Sequence, residues 1–266
     1  MARWTIDEPT TLDFDGVVAL KATLVAGRLS VLAGDKPSVR VTELTGRPLI
    51  VTHEAGMLTI DHEVWEGVLG LLRNEKSRAE VTVTVPKDCP VKLNLVSADA
   101  VISGLTARTS VKTGMGDITL DGVTGQIDAV TVSGLIEAQG LSGTVSFNSV
   151  SGELALAGGS LRKLAARTVG GKITADVALA RDGHAQISTV AGEIALRLPD
   201  TTSAAVSLSS ATGRVETAFH QLDRAERPVA KALSGKLGDG EGRLHVSSVS
   251  GSVTLLSRPA GPALEE

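Results

Sequence analysis

The sequence predicts an all-β fold, a single-domain parallel β-solenoid of the β-helix kind, built from rungs of about 18 to 21 residues. Three observations predict it: seven short segments repeat one pattern, apolar and polar residues alternate after each repeat, and aromatic residues make up only 2% of the 266-residue chain. A core of small aliphatic side chains in many similar layers suits stacked strands. Crossover chirality favours right-handed coiling.

Each repeat places a hydroxyl residue three positions before a glycine. The glycines are Gly116, Gly134, Gly152, Gly171, Gly192, Gly213 and Gly251, and the hydroxyl residues are Thr113, Thr131, Ser149, Thr168, Thr189, Ser210 and Ser248. The glycines fall 18, 18, 19, 21, 21 and 38 residues apart, and the last interval equals two periods of 19. Successive coils are therefore expected to stack with each glycine over that of the coil below.

The repeated residues have physical roles at a corner of the solenoid. A glycine is explained if the corner needs a positive φ or a close backbone approach, and the pattern alone does not choose between them. The hydroxyl groups are expected to form a ladder that caps the corners by bonding turn backbone. A row of nucleophiles or ligand contacts is the less favoured alternative, because identical residues at identical phase are explained by the repeating backbone.

Strand structure is predicted directly after each glycine. Two residues past it comes Ile, Leu or Val every time, and the next residue is usually polar. This period-two alternation is typical of a strand with one buried face. A degenerate copy is expected around Ala98, with looser echoes after Gly27 and Gly56, so the solenoid is predicted to span residues 1–256 with less regular N-terminal rungs.

Two segments interrupt the repeat. The first, residues 62–76, contains Trp65, Leu69, Leu71 and Leu72, which either cap the apolar core or form a contact for a partner. The second, residues 220–236, replaces one turn unit and is interpreted as a long surface excursion with mixed charges. The final residues, 257–266, are expected to form a disordered tail.

Composition argues against several classes of function. The net charge is −4 with both signs interspersed, whereas a nucleic-acid partner calls for a concentrated basic face. The single Cys89 is interpreted as a small packed residue, and the five histidines lack metal-ligand spacing. No paired carboxylates or nucleophile motif is visible, so no enzyme activity, cofactor or metal is expected.

The location is predicted from what the N-terminus and the apolar stretches lack. The first residues carry two acids and no apolar stretch typical of a signal peptide. The longest apolar stretch, residues 64–72, is broken by Glu66 and two glycines and is too short to span a bilayer. The expectation is a cytoplasmic protein without membrane insertion.

The chain resembles the bacterial toastrack family, also labelled "putative adhesin" or β-strand-repeat proteins of unknown function. The resemblance is carried by the Thr/Ser-Val-Ser/Gly-Gly-x-Ile/Leu units, the strand Val81–Pro86 and the closing run from Gly240 to Val253, and it covers roughly residues 10–256. It implies a parallel β-helix-like fold, frequent association with envelope-stress or membrane-linked regulatory systems, and no established catalytic residues.

The leading hypothesis for function is a non-catalytic binding or scaffolding solenoid that docks a protein partner through its regular flanks or open ends. The alternative is a self-assembling structural or adhesin-like protein, in which uncapped terminal strands join end to end. A carbohydrate-active β-helix enzyme is the third and weakest hypothesis, because paired acids are missing.

Overall fold

The computed structural model describes residues 2–62, 77–225 and 231–259. The regular structure of these residues is strand, and the fold is an all-β solenoid, which confirms the predicted fold class. The chain divides into two compact units, Met1–Gly134 and Leu135–Glu266, called unit 1 and unit 2 below. The single-domain organisation over residues 1–256 and the right-handed coiling stay predictions.

Unit 1 contains eleven strands among the described residues. They are β1 (Ala2–Ile6), β2 (Thr10–Asp13), β3 (Ala19–Ala33), β4 (Ser38–Thr45), β5 (Leu49–Glu54), β6 (Met57–His62), β7 (Arg78–Val85), β8 (Val91–Ser103), β9 (Thr109–Thr113), β10 (Ile118–Asp121) and β11 (Thr124–Thr131). Buried and outward residues alternate along much of these strands, as the two-residue period of a strand requires; in β7, for example, Ala79, Val81, Val83 and Val85 are buried.

Unit 2 contains ten strands among the described residues. They are β12 (Ile136–Ser149), β13 (Leu154–Thr168), β14 (Ile173–Thr189), β15 (Ile194–Pro199), β16 (Ala204–Ser210), β17 (Val215–Thr217), β18 (Leu222–Ala225), β19 (Lys231–Leu237), β20 (Gly242–Ser248) and β21 (Val253–Arg258). Parallel pairing of β12 with β13 and of β13 with β14 sets equivalent residues of successive repeats side by side, so Leu154 lies beside Ile136 and Ile173. Aliphatic side chains therefore stack on themselves in the core.

The N-terminal strand β3 lies between strands that come much later in the sequence. It pairs in parallel with β6 and β7 on one side and with β8 on the other. Beyond β6 and β7, the strands β5, β1, β4 and β2 pair antiparallel, which departs from the predicted parallel stacking. The N-terminal rungs are therefore irregular in two ways. Strand β3 lies out of sequence order, and the strands beyond β6 and β7 pair antiparallel.

The two loose echoes of the repeat have different outcomes. Gly27 pairs with both Ala79 and Ala98, so it belongs to the column of corner residues. Gly56 does not, because it follows Ala55 in the two-residue turn between β5 and β6, and both residues have positive φ values, 48° and 79°. Two positive φ values are typical of the tight turn that suits a twisted hairpin. The interpretation of Gly56 as a repeat copy is wrong.

The order of the rungs in unit 2 also differs from the expected succession. Strand β20 pairs in parallel with β14 on one side and with β16 on the other, and β21 lies in the same way between β15 and β17. The rung that holds Gly251 is therefore inserted between those of Gly192 and Gly213. The expectation that successive coils stack in sequence order is wrong at this point.

The segment expected as a surface excursion over residues 220–236 contains two strands. Strand β19 pairs antiparallel with β16 along its whole length, from Lys231 beside Ser210 to Leu237 beside Ala204, and β18 pairs antiparallel with β19. Leu233 and Leu237 are buried there. The segment therefore adds β19 and β18 to the sheet beside β16, whereas a surface excursion would have left the sheet.

Strand β21 continues into the segment expected to be a disordered tail. Ser257 and Arg258 pair with Leu198 and Pro199, and Arg258 Nε donates a hydrogen bond of 2.7 Å to Asp176 Oδ1. Partial burial raises the pKa of Asp176, but hydrogen bonds from Arg197 and Arg258 outweigh it and hold that pKa below its usual value. The predicted start of the tail at residue 257 is therefore wrong by at least two residues, and residues 260–266 lie outside the described part.

Candidate functional site

The corner hydroxyl groups cap the corner glycines in both units. In unit 1 the Thr113 Oγ1 accepts a hydrogen bond of 3.1 Å from the Gly116 amide. In unit 2 the same bond joins five pairs at 2.8 to 3.1 Å: Ser149 with Gly152, Thr168 with Gly171, Thr189 with Gly192, Ser210 with Gly213, and Ser248 with Gly251. Each bond satisfies an amide that the strand ladder leaves unpaired at the corner.

Close packing explains the glycine in most of these corners. A Cβ on Gly171 would lie 1.8 Å from the Gly152 carbonyl oxygen, and one on Gly192 would lie 1.8 Å from that of Gly171. Of the seven corner glycines, Gly134 has a positive φ, of 144°. The structure therefore decides the alternative that the sequence leaves open: most corners need a glycine because the carbonyl of the neighbouring rung occupies the space of a side chain.

The corner at Thr131 differs from the others. The Thr131 Oγ1 is buried and has no hydrogen-bond partner among the described residues, and the glycine that follows, Gly134, is the one with the positive φ. A buried hydroxyl without a partner costs stability. This corner keeps the sequence pattern but not its hydrogen bond.

The hydroxyl ladder is poorly placed for chemistry on an external substrate. Thr113, Thr131, Thr168, Thr189, Ser210 and Ser248 are all at most 8% exposed. Apart from Thr131, their oxygen atoms are engaged by backbone: each accepts from the glycine amide of its own corner, and four also donate to a carbonyl of the neighbouring rung, namely Thr113 to Ala98, Thr168 to Val150, Thr189 to Val169 and Ser210 to Gly251, at 2.8 to 3.5 Å. The less favoured interpretation as a row of nucleophiles therefore gains no support from the geometry.

The outward side of the same corners presents a feature that the sequence reasoning missed. At four of the five unit 2 corners the residue after the hydroxyl is a valine, namely Val150, Val169, Val190 or Val249, and these side chains are 46 to 53% exposed; at the fifth corner it is Ala211. We call these four residues the valine ladder. Val150 and Val169 accept hydrogen bonds through their carbonyls from the next rung, at 2.8 to 3.1 Å, so the ladder follows the stacked backbone. The rung spacing of about 4.8 Å sets the distance between its steps.

A sequence signal for the valine ladder exists. A valine stands between the hydroxyl residue and the glycine in five of the seven repeats. Because side chains alternate along a strand, a buried hydroxyl predicts that the next residue points outward. Unit 1 shows why the signal is partial: Val96 and Val132 are each 53% exposed, but Gly114 stands at the equivalent position of the rung between them.

The predicted partner contacts Trp65, Leu69, Leu71 and Leu72 lie outside the described residues. The buried His62 precedes them, and its Nδ1 accepts a hydrogen bond of 3.2 Å from the Val25 amide. Burial, helped by the nearby positive charge of Arg47, lowers the pKa of His62. This imidazole is therefore held in its neutral form at neutral pH.

The titratable groups of the described residues show no metal-site or thiol chemistry. Over residues 2–62, 77–225 and 231–259, no three His, Cys, Asp or Glu side chains are grouped to hold a metal ion. Cys89 is buried, and burial together with the neighbouring Asp88 raises the pKa of its thiol to about 11. The thiol is therefore protonated at neutral pH, which suits a packed residue. The same residues include no helix long and apolar enough to cross a bilayer.

Stacked corners of this kind, each with a hydroxyl cap and a close-packed residue, define a β-solenoid protein. The family is also shown: the chain belongs to the Toastrack DUF4097 family, whose model matches residues 38–256. The resemblance stated from the repeats is thereby confirmed.

Two solved structures to which the chain is similar have low sequence identity to it. A "putative lipid binding protein" from Parabacteroides distasonis is 16% identical with a TM-score of 0.50, and the match covers 95% of this chain and 97% of that one. A "putative adhesin" from Bacteroides fragilis is 15% identical with a TM-score of 0.34, covering 95% and 98%. The chain matches no curated protein.

Proposed function

We propose that this protein is a non-catalytic binding module that contacts a protein partner through the valine ladder of unit 2. One observation carries the proposal: on four of the five unit 2 rungs with a corner hydroxyl, a valine leaves about half of its side chain exposed at the equivalent position. The corner hydrogen bonds use the hydroxyl oxygen, the glycine amide and backbone groups, so the corner itself does not need valine. Regularly spaced apolar surface is typical of interaction sites.

The surroundings of the ladder support a protein partner over a charged ligand. The residues that follow the valines are Ser151, Gly170, Ala191 and Ser250, all uncharged and all exposed. A row of exposed valines whose next residues carry no charge favours contact with an apolar protein surface, because burial of apolar area is favourable.

The test replaces valine by threonine at positions 150, 169, 190 and 249 together. Threonine keeps the shape and the strand preference of valine, so the fold is expected to persist while the apolar strip is lost. Chemical crosslinking of the full chain in its native cells should give an adduct that the fourfold variant loses. The matched control Val18→Thr changes an exposed valine outside the ladder and should keep the adduct. An adduct of equal intensity in both variants contradicts the proposal.

A second candidate function, self-association, is favoured by the end of unit 2. Strand β17 pairs with β21 on one side, and its Val215 is only half-buried, whereas the equivalent Ile173, Ile194 and Val253 are buried. A groove of about 430 Å³ beside it is lined by Arg214, Glu216 and Lys231, among others. A strand with an unpaired edge is a template for another strand.

Light scattering at increasing protein concentration tests this second candidate. We expect concentration-dependent association of the full chain, which Val215→Lys suppresses because a charge at an edge strand opposes strand addition. Lys substitution at the exposed Val18, away from β17, is the control. A monomer at every concentration would rule the candidate out. Cytoplasmic location and a link to envelope-stress or regulatory systems remain proposals that neither experiment addresses.

A further inference from the structure

A groove on one sheet face of unit 1 gathers positive charge. It has a volume of about 720 Å³ and lies over β3, β8, β9 and β11. Four cationic side chains line it, namely Lys21, Lys92, Arg108 and Lys112, together with the single carboxylate of Asp128. The chain as a whole carries a net charge of −4, so this concentration of positive charge is a local feature.

Strand pairing brings the lysines together. In the parallel register of β3 and β8, Lys21 lies directly beside Lys92. Lys112 on β9 pairs with Asn94 of β8, two residues along the strand from Lys92, so the three lysines occupy neighbouring positions on the outward face. All three are exposed.

The carboxylate in the groove is already engaged by another residue. Arg108 Nη2 lies 3.6 Å from Asp128 Oδ2, and Gln126 Nε2 donates to the same oxygen at 3.3 Å. Within the described part of the chain, the lysine ammonium groups form no salt bridge. Like charges on directly paired strand positions destabilise a sheet, so the fold gains nothing from placing Lys21 beside Lys92.

Apolar surface adjoins the lysines. Met57 is 44% exposed and its position pairs with Ala19, two residues before Lys21 in the same strand. Val130 pairs with Lys112 on the other side of the groove. The volume is within the range of small-ligand sites, which is larger than a phosphate ion alone requires.

We infer that this groove binds a single anionic amphiphile, whose phosphate group contacts Lys21, Lys92 and Lys112 and whose apolar chain lies along Met57, on the β6 side of the lysines. Lysine ammonium groups bind phosphate as point charges, and three of them more than balance the two negative charges of a phosphate monoester. The bound phosphate also offsets the repulsion between the paired lysines. The ligand site is distinct in residues and chemistry from the valine ladder.

Titration calorimetry on the full chain tests the inference. The probe is a short-chain phosphatidic acid kept below its micelle concentration, and the comparison ligands are the phosphatidylcholine of equal chain length and inorganic phosphate. We expect the phosphatidic acid to bind at least about tenfold more tightly than either, because only it offers both the charge and the apolar chain. Affinity should fall as salt is raised.

The double variant Lys21→Gln/Lys92→Gln should lower the affinity for phosphatidic acid by about tenfold or more. The control Lys36→Gln/Lys87→Gln removes the same charge from exposed lysines outside the groove and should leave the affinity unchanged. Thermal unfolding of the groove variant should occur at the same or a higher temperature than that of the unmodified chain, since a like-charge pair is removed.

Several outcomes would overturn the inference. If the groove variant and the control variant bind phosphatidic acid with equal affinity, Lys21 and Lys92 do not contact the ligand. If inorganic phosphate binds as tightly as phosphatidic acid, the apolar chain contributes nothing to binding. If the protein binds vesicles containing phosphatidylglycerol but not the monomeric lipid, it adsorbs to a charged membrane surface and the groove does not bind a single ligand.

Discussion

A corner glycine in this protein lies where any side chain would collide with the carbonyl group of the neighbouring rung. Gly171 and Gly170 make the point within one corner: a Cβ on Gly171 would lie 1.8 Å from a backbone oxygen, whereas one on Gly170 would find its nearest neighbour at 4.0 Å. Backbone oxygen held in a ladder cannot move aside cheaply. The two adjacent glycines therefore differ in what they tolerate.

We predict that Gly171→Ala destabilises the protein by about 3 kcal/mol or somewhat more, at the upper end of the range for overpacking. Gly170→Ala, the matched control, should change the free energy of unfolding by less than about 0.5 kcal/mol, as is usual for exposed positions. Chemical denaturation measures both values. Equal loss in the two variants would show that the close approach is not the reason for the glycine.

The hydroxyl caps provide a second comparison at the residue scale. Thr168→Val leaves the Gly171 amide without its acceptor, which should cost about 1 to 3 kcal/mol of unfolding free energy. Thr131→Val removes a buried hydroxyl that has no partner among the described residues, so it should be neutral or stabilising. Thermal and denaturant unfolding of the two variants test the contrast, and an equal cost would contradict it.

The buried His62 predicts a pH dependence of stability. Its pKa is lower in the folded protein than the ordinary value of 6.5, so the unfolded chain binds the proton first as the pH falls. The stabilisation is complete above the unfolded pKa and is lost as the pH drops below it. His62→Asn, whose side-chain oxygen can accept the Val25 hydrogen bond, should flatten this dependence between about pH 7 and pH 5.

The control for His62 is His245→Asn, which changes an exposed histidine of β20. It should keep the pH dependence of the unmodified chain. Denaturant unfolding at several pH values gives the slopes directly. A slope that is the same in the His62 variant and in the unmodified chain would show that His62 does not cause it.

At the scale of elements, the exchange of strand order in unit 2 makes β20 and β21 internal strands although they end the chain. Both have partners on two sides, β14 and β16 for one and β15 and β17 for the other. Strands β16 and β17 therefore depend on residues that lie 38 positions further along the sequence, as in the pairs Ala204 with Gly242 and Val215 with Val253. Non-local pairing of this kind delays folding until the whole segment is present.

Truncation after Leu237, which removes β20 and β21, tests whether β16 and β17 depend on them. Removal of β20 and β21 takes one parallel partner from β16 and the single described partner from β17, so the backbone amides of residues 204–217 should lose protection against hydrogen exchange. Truncation after Pro259 removes only residues beyond β21 and should change nothing. Protection of residues 204–217 in the shorter chain would show that they can dock on β14 and β15 without the C-terminal segment.

At the scale of the whole molecule, each unit contains one strand or strand pair inserted between neighbours from distant parts of the sequence. In unit 1 it is β3, and in unit 2 it is β20 with β21. Antiparallel strands lie next to these insertions in both units, at β4 to β7 and at β16 to β19. Antiparallel pairing covers edges that a run of parallel rungs would leave open.

The two candidate binding surfaces differ in how far the sequence predicts them. The outward valines follow from the repeat, because one residue type recurs at one phase and strand alternation sets its direction, but Val249 lies beside Val190 only through the exchange of rung order. The lysine groove does not, because Lys21 and Lys92 are brought together only when β3 is inserted beside β8. A periodic surface can be read from local spacing, whereas a surface built from an exchanged strand cannot.

The sequence by itself determined the rung, with its hydroxyl residue, its glycine and its alternating strand, because these depend on backbone geometry that repeats every 18 to 21 residues. Tertiary structure alone decided which rung lies beside which. Parallel rungs with the same corner can pair in more than one order at similar local cost, so the order is set by long-range edges and buried area. It is this order that places Gly251 between Gly192 and Gly213, and Lys21 beside Lys92.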